Sequence, residues 1–275
     1  MPELPEVQLV ASHLDLLVRG RRIEQALLHR QRLAPAFAPE DFNAHLAKAR
    51  IRSVSRRGKH ILFDLENERT LVVHLRMSGR FSIAPAGSEP PRFTHAQFEM
   101  GGETLHFSDQ RHFGFMNIVR SDELGAAKEL CKLAPEPFGE DFSIDFLRSK
   151  LKASSRPIKE FLLDQTKVCG LGNIYAAEAL FESGIDPRKR ADKLTKPKAE
   201  LLHSAIIAVL ERAVESSRAV PVEPGNIGGN FYGEQDSPDW RVYGREGEEC
   251  PACGESILRI KQAGRSTFFC RRCQR

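Results

Sequence analysis

Met1-Pro2-Glu3-Leu4-Pro5-Glu6 opens the chain and joins a secondary amine, two carboxylates and a helix start. Once Met1 is removed, Pro2 presents a free pyrrolidine nitrogen, a candidate nucleophile. A terminal amine has a pKa near 8 against roughly 10.4 for lysine, so it is unprotonated far more often at neutral pH. A secondary amine adding to an aldehyde-level carbon gives a charged iminium, the electron sink that covalent amine catalysis needs. Glu3, one residue on, can move the protons. The ordinary alternative is that Pro2 and Pro5 only start a helix, since proline is tolerated where the amide would be orphaned and acidic residues suit a first turn. From Glu6 to Arg19 the apolar positions Val7, Val10, Ala11, Leu14, Leu17 and Val18 recur at helical spacing, with Gly20 as a stop. The stretch therefore predicts an amphipathic helix with a reactive group at its head.

Outward from this helix, Arg22 to Arg30 and Ile51 to Val54 read as strands around a short helical piece near Asp41 to Lys48. His60 to Leu65 and Thr70 to Leu75 read as a pair across the turn 66–69, and Ala96 to Met100 and Thr104 to Phe107 flank Gly101-Gly102. Strands at this spacing predict a β-sandwich up to about Val119. The proline-rich stretch from Ala134 to Gly139 reads as a linker. Beyond it, Ser143 to Leu151, Pro157 to Asp164, Ile174 to Glu182 and Pro197 to Glu215 carry helical periodicity, and Ser216 to Trp240 reads as a long loop.

The chain has 275 residues, a length for about two domains and a core that needs no disulfides. It has no apolar run of about eighteen residues, and its acidic, proline-punctuated start does not resemble a signal peptide; a soluble, intracellular protein is expected. The formal net charge is +4, and between Arg241 and Arg275 eight basic residues face four acidic ones. A basic tail on an otherwise balanced protein suggests a polyanionic partner, nucleic acid first.

Cys250-Pro251-Ala252-Cys253 and Cys270-Arg271-Arg272-Cys273, sixteen residues apart, have the spacing of a tetrahedral structural zinc site, each pair supplying two thiolates from a tight turn. Disulfides are the alternative, disfavoured in an intracellular protein. Gly170-Leu171-Gly172-Asn173 leads into a helix, so its backbone can approach a phosphate and Asn173 can cap the helix; a tight turn between packed helices is the alternative. Met77, Arg111 and Phe113 are an apolar and cationic set able to fill the gap left by an extruded nucleotide, with core packing as the alternative for Met77 and Phe113.

PELPEV at the start, GKH around Lys59, HLRMSGR from His74, QRHFG from Gln110, PEPF from Pro135, GLGNIYAAEALF from Gly170 and VYGREGEECPACG into the last hairpin span nearly the whole chain. In these motifs and their order it resembles the formamidopyrimidine-DNA glycosylases, which share a superfamily with the endonuclease VIII-like enzymes. The resemblance implies an α+β fold: an N-terminal β-sandwich with flanking helices (1–130), a helical helix-two-turns-helix domain (131–222), a possible damaged-base loop (223–239) and a C-terminal zinc-ribbon β-hairpin (240–275). It implies Pro2 as Schiff-base nucleophile, Glu3 as proton donor with Glu6 supporting the nucleophile's surroundings, and Lys59 as a second general acid. It places His74, Asn173 and Arg265 on phosphates, Arg265 also assisting elimination, and Met77, Arg111 and Phe113 in the void facing the orphaned base. His95 stands in the family's backbone-contacting His-x-His, which reads Phe93-Thr94-His95 here. Gln110 and His112 replace a usual Pro and Arg, and Ser216 to Val220, then Gly225 to Asn230, replace the usual Gly-Gly-Thr-Thr-like stretch before the lesion loop.

The implied function is a bifunctional glycosylase and AP lyase of base excision repair, excising oxidised purines such as 8-oxoguanine and formamidopyrimidines and nicking the strand by β,δ-elimination. One structural zinc is the expected cofactor and damaged double-stranded DNA the expected partner of a monomer that binds no membrane, in the cytoplasm at the nucleoid. The alternatives are an endonuclease VIII-like enzyme for oxidised pyrimidines and a noncatalytic zinc-ribbon DNA-binding protein.

Overall fold

The computed structural model describes residues 1–228 and 240–275, which divide into two compact units. One runs from Met1 to Cys131 and takes back the segment beginning at Ser217. Its first element, α1 (Leu4–Val18), buries Leu4, Val7, Val10, Ala11, Leu14 and Val18, the face that the periodicity predicts. The chain continues through β1 (Gln25–Leu28), α2 (Pro39–Leu46), β2 (Ile51–Arg57), β3 (His60–Leu65), β4 (Arg69–His74), β5 (Gly79–Pro85), β6 (Thr94–Met100), β7 (Glu103–Asp109) and β8 (Phe115–Arg120). These form two four-stranded antiparallel sheets, ordered β1-β6-β7-β5 and β2-β3-β4-β8. Residues from both sheets and α1 share one core. Phe81 sits at its centre, with its ring centroid 5.7 Å from that of Phe63 on the other sheet and 5.1 Å from that of Phe107 on its own.

The β-sandwich is therefore present, with three differences in its strands. Regular pairing of the first is confined to Gln25–Leu28, Arg22 making only an isolated bridge to Arg50. Two strands have no counterpart in the sequence analysis: β8, which pairs with β4, and β5, which sends Phe81 and Ile83 into the core while Arg80 faces out. β5 lies at a sheet edge, and Ile227 closes part of it, donating its N–H to the Phe81 carbonyl at 3.2 Å. The returning segment also meets α1, where the His13 side chain hydrogen-bonds to the backbone of Val220.

The second unit holds α3 (Ile144–Lys152), α4 (Ile158–Leu163), α5 (Asn173–Glu182) and most of α6 (Lys196–Ser217), followed after the loop by β9 (Leu258–Gln262) and β10 (Arg265–Phe269). Ser143 caps α3, its hydroxyl accepting the Phe146 N–H at 3.1 Å. The turn before α5 is pinned by Gln165, whose amide accepts from Gly170 N–H at 3.0 Å and donates to the Leu171 carbonyl at 2.8 Å. The terminal hairpin packs on α5 through Val242, Ile257 and Phe268 against Ala177 and Phe181. The buried Glu178 carboxylate accepts the backbone N–H groups of Arg241, Val242 and Tyr243 at 2.8–3.1 Å. Residues 229–239 of the expected damaged-base loop lie outside the described residues. Among those described, no helix is long and apolar enough to cross a membrane.

Candidate active site and DNA interface

The head of α1 is built by its own first turn. Glu3 and Glu6 form a reciprocal capping box, in which Glu3 N–H donates to Glu6 Oε2 at 2.7 Å. Glu3 and Pro2 are buried, while Met1, which carries the terminal amine here, is 40% exposed. Burial holds the pKa of the terminal ammonium, here on Met1, below its ordinary value; Glu3 and Glu6 oppose the shift while Lys59 and Arg111 add to it. Four residues from three separate stretches thus act electrostatically on one nitrogen.

Two contacts bring the turn carrying Lys59 to this place. Asp15 of α1 accepts the Val54 N–H at 2.7 Å, and Gln8 accepts from Arg56 Nε at 3.0 Å, so β2 lies along α1. Lys59 then follows Gly58, whose φ of 58° suits the tight β2–β3 connection, and is itself buried. His74, at the end of β4, pairs with His60 in register, their rings edge to face at 4.7 Å. His74 Nδ1 accepts the Arg76 N–H at 2.9 Å, leaving Nε2–H as its donor. Burial, with His60, Arg76 and Lys59 nearby, drives the His74 pKa down to about 2, and burial drives that of His60 down to about 4.

These two histidines give a pH prediction. Below the ordinary histidine pKa of about 6.5 the unfolded chain takes up protons that the folded pair refuses, so stability is lost as pH falls from 6.5 toward 4. The slope approaches about 1.4 kcal/mol per pH unit for each histidine, or about 2 kcal/mol each by pH 5. Urea denaturation at pH 7 and pH 5 should show a lower midpoint at pH 5, and His60→Phe should flatten the dependence. A midpoint equal at the two pH values would contradict the burial argument.

The candidate wedge residues are not in the core: Met77 is 46% exposed and Phe113 49%. The residue that assembles them is Asp109, which lies just before the QRHFG motif and has no role in the sequence analysis. Its buried carboxylate accepts the Ser78 hydroxyl, the Arg111 N–H at 3.2 Å and the Gly114 N–H at 2.6 Å. The loop carrying Met77 is thereby tied to the turn carrying Arg111 and Phe113, and the Arg111 guanidinium lies 5.4 Å from the Phe113 ring centroid. Gly79 and Gly114 permit the close approach: a Cβ on either would stand under 3 Å from Phe107 Cζ. His95, expected at the DNA backbone, is buried. Its Nε2 faces the Asp109 carbonyl at 2.9 Å and His112 Nδ1 at 2.8 Å, so it supports the turn from within.

In the second unit Asn173 is the first residue of α5 and Gly172 the cap, contrary to the expected capping role. Asn173 Nδ2 donates at 3.0 Å to the carbonyl of Ser266, the residue after Arg265. The buried Lys159 also donates to that carbonyl, and to Thr267 Oγ1, both at 2.7 Å. Arg265 follows the tight turn Ala263-Gly264, both at positive φ, and is exposed. The basic tail is less free than its composition suggests, because Arg245, Arg259 and Arg271 pair with Glu248, Glu246 and Glu255. A concavity of about 510 Å³ between α5, α6 and Trp240 contains none of the predicted site residues.

The thiolates of Cys250, Cys253, Cys270 and Cys273 lie within 4.8 Å of one another, with Cys250–Cys273 at 3.8 Å and Cys253–Cys270 at 3.5 Å. Zinc–sulfur bonds of about 2.3 Å in a tetrahedron put sulfurs about 3.8 Å apart, so the donor set fits one structural zinc. With four protein ligands it leaves no open position for a reactant, and its work is to close the hairpin.

Comparison with known proteins accounts for all three parts. Residues 1–116 match the Formamidopyrimidine-DNA glycosylase N-terminal domain, 133–221 the Formamidopyrimidine-DNA glycosylase H2TH domain, and 247–275 the zinc finger found in FPG and IleRS. These domains define a class, the DNA-repair glycosylases with a helix-two-turns-helix fold and a zinc finger. A formamidopyrimidine-DNA glycosylase of Desulfitobacterium hafniense is 38% identical over the full length of both chains. Two structures of the Lactococcus lactis Fpg are similar: a complex with an abasic site containing DNA (33% identity, TM-score 0.90, 99% of each chain) and a mutant with a Fapy-dG containing DNA (34%, 0.91, 100% of each chain). The chain belongs to the formamidopyrimidine-DNA glycosylase family.

Proposed function

We propose that this protein excises oxidised purines from duplex DNA and then cuts the abasic strand, with Pro2 as nucleophile once Met1 is removed. The observation that carries this reading is the head of α1, where the buried Pro2 stands beside the buried Glu3 in the capping box with Glu6. Pro2 nitrogen attacks the anomeric carbon of a flipped nucleotide while Glu3 moves the protons, and the base departs. The sugar ring then opens, its oxygen leaving C1′ and taking up a proton, to give the iminium. Loss of the acidified C2′ proton expels the 3′ phosphate, and loss of a second proton, from C4′, expels the 5′ phosphate, completing β,δ-elimination. Lys59 serves as second general acid. His74 offers a neutral N–H to a phosphate, Asn173 and Arg265 hold others, and Met77, Arg111 and Phe113 occupy the vacated stack. The working partner is damaged double-stranded DNA, met in the cytoplasm at the nucleoid.

A lesion panel with base release and strand nicking scored separately tests this, together with borohydride trapping and peptide mapping of the adduct. Oxidised purines are expected to be released and the cross-link to map to Pro2. A cross-link on Lys59 or another lysine overturns the terminal-proline mechanism, release confined to oxidised pyrimidines moves the protein to the endonuclease VIII-like branch, and no cross-link at all leaves a noncatalytic binder.

A further inference from the structure

α1 carries a buried histidine that the proposed chemistry does not use. His13 is 5% exposed, and its Nδ1 is buried without a hydrogen-bond partner. Burial holds its pKa below the ordinary histidine value, against the opposing effect of its bond to the backbone of Val220. A bond that favours the charged ring runs from ring N–H to a carbonyl, so Nε2 donates and the Val220 carbonyl accepts. Charged groups stand on the elements around it, Glu6, Asp15 and Arg19 of α1, Arg56 of β2, and Arg218 and Glu223 of the returning segment, and none of them alters this balance.

The place of the bond gives it a use. The chain re-enters its first unit at Ser217, and residues 218–228 are fastened near each end: Val220 to His13, and Ile227 to the Phe81 carbonyl. Between these points Pro221 to Gly225 are all exposed. Ile227 is held by burial in the core as well as by its backbone bond, whereas Val220 is half-buried, so at that end the bond to His13 carries more of the attachment. His13 stands seven residues after Glu6, two turns along the same face of α1 and about 10 Å down its axis. The segment that runs on to the expected damaged-base loop is thereby tied to the helix whose head carries the nucleophile.

We propose that His13 is a positioning residue for release of the damaged base, latching residues 218–228 to α1 through the Val220 carbonyl and so setting the damaged base's surroundings relative to Pro2 and Glu3. This rests on the excision reading above. Strand cleavage at a preformed abasic site, which has no base to place, should not need the latch. Latching also excludes a second proton from the ring, because Nδ1–H would be buried with no acceptor. The latch is therefore complete above the ordinary histidine pKa of about 6.5 and weakens as pH falls below it.

The test uses full-length, zinc-loaded protein in single turnovers from pH 5 to 8, on duplexes holding 8-oxoguanine opposite cytosine or a preformed abasic site. His13→Phe fills the space without a donor, and His13→Gln keeps an N–H donor that does not titrate. At pH 7.5 His13→Phe should release the base about five- to tenfold more slowly and exchange the amides of 218–226 faster, with abasic cleavage and the amide protection of the β-sheets unchanged. His13→Gln should restore both. Toward pH 5 release by the parent should fall relative to His13→Gln, by at most about thirtyfold, with no such divergence on abasic DNA. If both variants match the parent in release and exchange, or if His13→Phe loses both activities equally, the inference is wrong and the excision reading stands. Should His13→Phe not fold, the pH profile of His13→Gln decides, and one parallel to the parent's overturns the inference. A parent that releases no oxidised purine removes the excision reading and the latch with it.

Discussion

Glu3→Gln should abolish release of an intact damaged base while leaving a preformed abasic site open to covalent trapping. The glycosidic bond breaks only with proton movement at the base or sugar, and a positioned acid contributes roughly 10²- to 10⁴-fold. An abasic site is already an aldehyde, so the amine can add to it without that help. Glutamine suits the comparison because the first turn of α1 survives: the Glu3 N–H to Glu6 bond involves backbone, and an amide oxygen can replace the carboxylate in the reciprocal bond. Pro2→Gly should act on the other step, since a primary amine forms an imine that deprotonates, so strand cleavage should slow while some trapping survives. Single-turnover rates for base release and cleavage, measured on both substrates, separate the two. Base release by Glu3→Gln within tenfold of the parent would remove Glu3 from proton transfer.

Loss of the metal should be the other large effect. Structural zinc contributes about 10–16 kcal/mol of apparent binding free energy in small fingers, more than a short hairpin can replace. Cys250→Ser, or strong chelation, should therefore unfold the hairpin and release Arg265 from the turn that presents it, costing DNA affinity at least about a hundredfold if two phosphate contacts go with it. The β-sandwich should keep its amide protection, because its core contains no residue of the ribbon. Elemental analysis should give one zinc per chain. Active, reduced protein without zinc would refute the assignment.

Much of this was readable in the sequence where the deciding interactions are local. The periodicity of α1, that of the helix from Ser143 and the paired cysteines each express themselves within a few turns of chain. What escaped depends on residues distant in sequence. β5 begins inside HLRMSGR, and its alternation is only Phe81 and Ile83 before Pro85 ends it, too short a pattern to stand out from a loop. Asp109 gathers its partners from two loops, and nothing in Asp109-Gln110-Arg111 shows which amides the carboxylate will meet. The bond that Asn173 does make is to the Ser266 carbonyl, far along the chain. The buried Glu178 and Lys159 were missed as well. Glu178 had one available signal, an acidic residue inside the otherwise apolar run Ile174-Tyr175-Ala176-Ala177-Glu178-Ala179-Leu180.

The return of the chain to its first unit sets the order of its biosynthesis. Ile227 caps part of the open edge of β5 and Val220 meets His13 of α1, yet both are translated only after the whole helical segment. A nascent chain that has just released Cys131 from the ribosome therefore carries a sandwich with one edge still exposed to pairing and a buried-to-be histidine still wet. A fragment cut at that point inherits the same defect permanently. Dissecting this protein into working parts thus calls for grafting the segment from Ser217 back onto the N-terminal piece with a short linker, not for cutting at the proline-rich stretch.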